Sequence, residues 1–261
     1  MIIDINTYIG HWPFRQVENS TPEGLVNLMD KAGIDKACVS NLNAIFYRNV
    51  QDGNEELAQQ ISIGKEFRDR LIPFAIINPS YPGWKKDFAH CIDDLGMKGL
   101  ELYPTYHKYN LASENAVELL NMAAEKGIPV HLPCAIENIR QRHWMDTKED
   151  LTADSVTQVL STCPKTNFII TNGPTNAIAG KLMTLSMERQ GRILYDFCRI
   201  DLLYFSFDNF VKSVGADNVV FGSVLPLQYV DTQLAKLHFS KISSEDIEKI
   251  MYKNLKELLE L

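Results

Sequence analysis

Gly215-Ala216-Asp217-Asn218-Val219-Val220-Phe221-Gly222-Ser223-Val224-Leu225-Pro226 carries a short β-rich run at 218–222. It is the last of eight such runs. The others fall at 2–5, 37–41, 72–78, 97–103, 129–132, 168–171 and 193–197, and helical patterns alternate with them. The first helix is expected over 22–32, with Leu25, Leu28, Met29 and Ala32 on one face and Gly33 just past its end. The pattern repeats over 114–126, where Val117, Leu120 and Ala124 form the stripe and Gly127 precedes the next run. Ser243-Ser244-Glu245-Asp246 opens the closing helix in a form close to a capping box. Eight βα units in 261 residues predict one α/β domain over 1–261, a (β/α)8 TIM-like barrel. Alternation by itself leaves an open doubly wound sheet as the alternative.

Composition narrows the partners. The formal charge of −7 disfavours nucleic acid and anionic membrane surfaces, both of which call for a basic face. No stretch approaches the ~20 apolar residues that span a bilayer. Met1-Ile2-Ile3-Asp4-Ile5 has neither the basic region nor the apolar run of a signal peptide, so a cytoplasmic location is expected. Cys38, Cys91, Cys134, Cys163 and Cys198 are widely spread with no Cys-x-x-Cys pair, which predicts reduced, buried thiols. The longest irregular connections, 10–21, 103–112 and 135–152, all follow strands, on the face where such barrels carry their sites.

Four segments together resemble the amidohydrolase-related family of metal-dependent barrel hydrolases and decarboxylases. Ile3-Asp4-Ile5-Asn6-Thr7-Tyr8-Ile9-Gly10 looks like its first strand, normally Ile-Asp-x-His-x-His-x-Gly. Gly96-Met97-Lys98-Gly99-Leu100-Glu101-Leu102-Tyr103-Pro104 is similar to the fourth. Gly127-Ile128-Pro129-Val130-His131-Leu132-Pro133 is similar to the fifth, usually ending Pro-Val-x-x-His. The 215–226 segment resembles Gly-Ala-Asp-x-x-x-Phe-Gly-Ser-Asp-x-Pro at strand eight, and Asn254 sits where the family has a terminal asparagine.

The departures from the family pattern are as orderly as the matches. Carried over residue by residue, the metal ligands would fall on Asn6, Tyr8, Pro133, Asn172 and Val224. None offers imidazole, thiolate or carboxylate, and Val224 also removes the aspartate that would take a proton from metal-bound water. No metal or other cofactor is therefore expected, and the family's mechanism is not carried over. Strand alternation turns His131 inward, two residues (~6.6 Å) below Pro133, as a hydrogen-bonded core imidazole or a relocated functional group. His11 lies just beyond strand one. His107 and His143 fall on mouth loops, while His90 and His238 read as surface.

Other polar groups follow strands on the site-bearing face. Glu101 and Tyr103 share one face of strand four. Asp196 ends strand seven with Arg199 three residues on, a pair that could simply satisfy each other. The loop after strand five offers Arg140. Glu101, Asp196 and His131 are the candidate catalytic groups. Arg140, Arg199, His11, Asn6, Tyr8 and Asn172 are the candidate binding groups, with a small anionic molecule such as a carboxylate or sugar acid as ligand. A homodimer is the one assembly considered. Three readings follow: a metal-free enzyme acting on a small anion, with a hydrolase or lactonase as the type the resemblance implies; a barrel that binds a ligand or partner without turnover; and a metal hydrolase with a rebuilt site.

Overall fold

The protein is described as a computed structural model over residues 1–138, 140–146, 149–184, 188–200 and 206–261; the 135–152 connection is thus described apart from residues 139, 147 and 148. Among the described residues, seven strands pair in parallel and in chain order: β1 (Ile3–Ile9), β2 (Lys36–Asn41), β3 (Leu71–Ile76), β4 (Gly99–Glu101), β5 (Val130–Pro133), β6 (Phe168–Thr171) and β7 (Ile193–Tyr195). This order identifies the curled parallel sheet of an α/β fold and excludes a doubly wound one, in which the strand order reverses.

Local chemistry sets the helices. In α1 (Pro22–Ala32), the Thr21 side chain accepts the Gly24 N–H, Pro22 opens the first turn, and Gly33 closes the helix at φ 69°. A left-handed residue is needed there, and the Gly33 N–H returns to Asp30 and Met29 carbonyls. α1 buries Leu25, Val26 and Met29 against the sheet. The same amphipathic logic places α2 (Val50–Ser62), α3 (Glu114–Glu125), α4 (Ala153–Thr162) and α5 (Ser206–Val214), whereas α6 (Asp231–Phe239) buries Gln233 and Lys236 beside Leu237. Among the described residues no helix is long and apolar enough to cross a membrane, and all five cysteines are free and buried.

The run expected as an eighth strand at 218–222 forms no ladder of its own. Ala216–Asn218 is a 3-10 turn, Val219 meets Tyr195 in an isolated bridge, and Thr7 meets Leu225 in another. The segment nevertheless reaches both edges of the sheet. Val220 N–H donates to the Tyr195 carbonyl (2.9 Å) on β7; on β1, Ile5 N–H donates to Phe221 O (3.0 Å) and Tyr8 N–H to Leu225 O (2.8 Å). The ladder is interrupted because the 3-10 turn takes up residue 218 and the Phe221 N–H donates to the Ile250 carbonyl (3.0 Å), away from the sheet; beyond the run, Val224 lies in the left-handed region at φ 67°, which bends the chain out of extension. The fourth strand is also shorter than its sequence pattern, three residues in place of 97–103.

The interior is stratified. Ile3, Ile5, Ile72, Phe74, Ile169, Leu194 and Val220 form one apolar cluster. Tyr8, Trp12, Ile45, Ile76, Tyr103, Ile136, Val224 and Leu227 form another. Polar side chains lie between them: the Phe74 ring meets His131 edge-on at 6.4 Å from one side, and the Tyr103 hydroxyl reaches Glu101 from the other.

Candidate functional site

At the strand ends, three polar residues meet. Asn6 Nδ2 donates to Asn172 Oδ1 (2.9 Å) and to Asp196 Oδ2 (3.2 Å), and the Asn172 N–H donates to Asp196 Oδ1 (3.3 Å). Cys198 Sγ adds a contact to Asn172 Oδ1 at 3.0 Å. Asn172 holds φ 56°, which asparagine tolerates better than most residues. Gly222 makes this approach feasible, since a Cβ there would stand 3.0 Å from Asp196 Oδ2 and 3.1 Å from Asn6 Cβ. Asp196 therefore does not satisfy Arg199: its oxygens are taken by the two asparagines, and Arg199 turns its guanidinium toward the Ile136 carbonyl at 3.5 Å. Burial pushes the Asp196 carboxyl up, against the opposing pull of its hydrogen bonds.

A second network lies alongside. The Tyr103 hydroxyl donates to Glu101 Oε1 (2.5 Å), His131 Nδ1 stands 3.5 Å from the same oxygen, and His131 Nε2 lies 2.6 Å from Thr171 Oγ1. His131 is thus a satisfied core imidazole. Asp4, overlooked in sequence, is a third buried acid: its Oδ1 accepts the N–H groups of Asn6 (2.9 Å) and Ser223 (3.1 Å). Burial raises its carboxyl to about 7, more than those two bonds and Ser223's side chain lower it.

These groups are sealed from the mouth. Tyr8 and Val224 are fully buried in the apolar cluster with Trp12, Tyr103, Ile136 and Leu227, and burial holds the Tyr8 and Tyr103 phenols far above their ordinary range. Glu101, His131, Asn6, Asn172 and Asp196 are likewise buried. His11, in contrast, is exposed, held by its backbone N–H to Asn43 Oδ1. His107 is half-buried with Nε2 3.2 Å from the Ile45 carbonyl, and burial lowers its imidazole to about 4.

Over the mouth lies a cavity of about 580 Å³ lined by Arg15, Arg140 and Arg199 together with Asn138, Gln141, Leu227, Gln228, Tyr229 and Thr232, and among the described residues no acidic side chain is in its lining. Arg140 and Arg199 are thereby brought together, while Glu101, Asp196 and His131 stay beneath. Arg15 is held by Glu137 Oε1 (2.5 Å) and by the Leu227 carbonyl (2.6 Å). It was missed in sequence because nothing but its place in the long 10–21 connection marks it.

The residues do not fit the family's metal. Asn6 aims an N–H donor, not a lone pair, at the centre of the group, and Asn172 Oδ1 already accepts from Asn6 and Cys198. On the residues at the family's ligand positions, the atoms left without a partner are an amide oxygen (Asn6), an amide nitrogen (Asn172) and a phenol (Tyr8), none of them an imidazole, thiolate or carboxylate; the unpartnered Asp4 Oδ2 stands by itself as a carboxylate oxygen. Among the described residues no group of three or more His, Cys, Asp or Glu stands where it could hold a metal ion.

Comparison with known proteins adds the family. Among solved structures, 5-carboxyvanillate decarboxylase from Novosphingobium aromaticivorans, with bound manganese, superposes with a TM-score of 0.76 at 14% identity, over 100% of this chain and 97% of that one. For 2,6-dihydroxybenzoate decarboxylase from Rhizobium the TM-score is 0.74 at 14% identity, over 99% and 98%. For 4-oxalomesaconate hydratase from Rhodopseudomonas palustris it is 0.70 at 16% identity, over 100% and 96%. At such identities the likeness is one of fold. No curated protein matches the sequence. The amidohydrolase family model (Amidohydro_2) matches residues 16–261, leaving β1 and the first part of the 10–21 connection outside the match. The chain belongs to the amidohydrolase family.

Proposed function

We propose that this protein binds a small carboxylate at the arginine-lined mouth of an eight-unit barrel, whose eighth stave is the irregular 219–225 segment, and does so without a metal. The observation that carries this reading is the cavity itself: three guanidiniums line it, and among the described residues only Glu137 offsets one of them from below. Guanidinium is planar and presents paired N–H donors that match a carboxylate, and a hydrogen bond to a charged group is worth ~1.5–3 kcal/mol. The structural neighbours named for aromatic carboxylates support the ligand class, with benzoates, dicarboxylates and sugar acids as the compounds to try.

Binding without turnover is favoured over catalysis because Glu101, Asp196 and His131 have no side chain in the cavity lining. A metal-free enzyme is the second reading, supported by the continuous Tyr103–Glu101–His131–Thr171 contacts, which could pass a proton if the apolar cluster opened.

Calorimetric titration of the acids into wild type, Arg140→Ala and Arg199→Ala tests the binding reading. Each variant is expected to weaken binding by roughly tenfold or more. If no acid binds, or if both variants bind as the wild type does, the arginines are surface charges and the reading fails. Product formation followed by proton NMR on any acid that binds would favour the second reading.

A further inference from the structure

Next to the arginine-lined cavity lies another of about 560 Å³, and the two share Arg15, Leu227, Gln228 and Tyr229 along a common wall. Their characters differ. The first presents guanidiniums and, among the described residues, no acid. The second has an apolar floor built from Leu28 and Ala32 of α1, Leu234 of α6, and the buried Leu225. Its charged lining residues, Arg15, Glu18, Lys31 and Asp231, are exposed, so none has to be desolvated for an apolar group to lie on the floor. Tyr229 stands between the two with 87% of its surface exposed, an aromatic face open on both sides of the shared wall.

We infer that the two cavities form one groove which, given the anion-binding reading above, takes an amphipathic carboxylic acid. The carboxylate sits between Arg140 and Arg199, and a linear or aryl-bearing tail crosses Tyr229 to lie against Leu28, Ala32 and Leu234. The division of labour follows from the chemistry of the walls. Arginines fix the head by charge and paired hydrogen bonds, whereas the tail gains affinity in proportion to the apolar area removed from water. A short acid uses half the groove. A longer one fills both halves, with Tyr229 folded over the junction.

The test is a calorimetric series of butanoate, hexanoate, octanoate and decanoate, each kept below its micelle concentration, into the whole protein. Affinity is expected to climb roughly two- to fourfold per added methylene until the tail passes Leu234. Leu234→Asp, and independently Leu28→Asp on the facing wall, should abolish the climb while leaving butanoate unchanged. Both positions are half-buried, and unchanged thermal melts would establish that the variants fold. Arg199→Ala should weaken every member of the series alike. Equal binding of short and long acids, or a climb that survives both aspartates, overturns the tail groove while leaving anion recognition intact. Loss of all binding in the wild type, or indifference to Arg199→Ala, overturns anion recognition and the groove with it.

Discussion

Asp4→Asn should stabilise the protein by an amount that grows with pH. Asp4 is fully buried with one oxygen, Oδ2, lacking any partner, and burial raises its carboxyl from 3.8 to about 7. The folded pKa lies above the unfolded one, so between those values the unfolded chain binds fewer protons than the folded one. Stability contributed by the protonated acid is therefore complete below about pH 4 and is lost as pH rises through 7. The shift is about three units at ~1.4 kcal/mol each, or about 4 kcal/mol in all. Asparagine keeps the Oδ1 acceptor for the N–H groups of Asn6 and Ser223 and carries no charge to desolvate. Urea unfolding of wild type and variant at pH 5, 6 and 7 isolates the effect, because every other titrating group is common to both. The stability difference should widen by roughly 2 kcal/mol from pH 5 to pH 7, a little under two units of the full slope because the folded acid is itself half ionised at pH 7. A difference that stays constant across that range, or narrows, would show that Asp4 is not a buried acid with a raised pKa.

Gly222→Ala should cost ~1–3 kcal/mol in urea unfolding, because its methyl would press on Asp196 Oδ2 and Asn6 Cβ and spread the three-residue polar contact. Asn254→Ala should cost a similar ~1–3 kcal/mol, since Asn254 Nδ2 donates to the carbonyls of Ala216 (2.7 Å) and Val219 (2.8 Å); the Ala216 carbonyl keeps the Val219 N–H (3.2 Å), but the buried Val219 carbonyl loses its side-chain donor. A change below about 0.5 kcal/mol in either variant would mean that the segment at 216–222 is held by other contacts.

The elements legible in the sequence are those fixed by local chemistry. α1 is bounded by Thr21, Pro22 and Gly33 through hydrogen bonds and φ values that those residue types favour, and Ser243 caps its helix through the Asp246 N–H at 3.1 Å. The 168–171 run is β6 with no change of bounds, because Phe-Ile-Ile-Thr flanked by polar residues has few alternatives. The 218–222 run carries an equally strong β pattern yet forms no ladder, since its fate depends on a 3-10 turn that takes up residue 218, on the Ile250 carbonyl that draws off the Phe221 N–H, and on two edges distant in sequence. Within the site, Asn6 and Asn172 were marked by resemblance, but their mutual hydrogen bond depends on a tertiary approach that no local pattern encodes. β1 also shifts register between Asp4 and Thr7, which simple alternation does not anticipate, and Asp4 escaped notice there. Arg15 sits in an irregular loop without period, and only the folded chain brings it beside residues about 125 and 184 positions away.

The central claim is that this member of the family recognises a carboxylate through arginines and not through a metal at the strand ends. The most direct measurement is a calorimetric titration of one binding acid into protein dialysed against chelator, repeated after adding a slight excess of manganese. The predicted result is the same affinity in both, within a factor of two or so, because the arginines do not depend on Asn6, Tyr8, Pro133, Asn172 or Val224 to hold the ligand. Binding that appears only with manganese, or tightens by roughly tenfold or more, would contradict the claim and restore a metal to the strand ends.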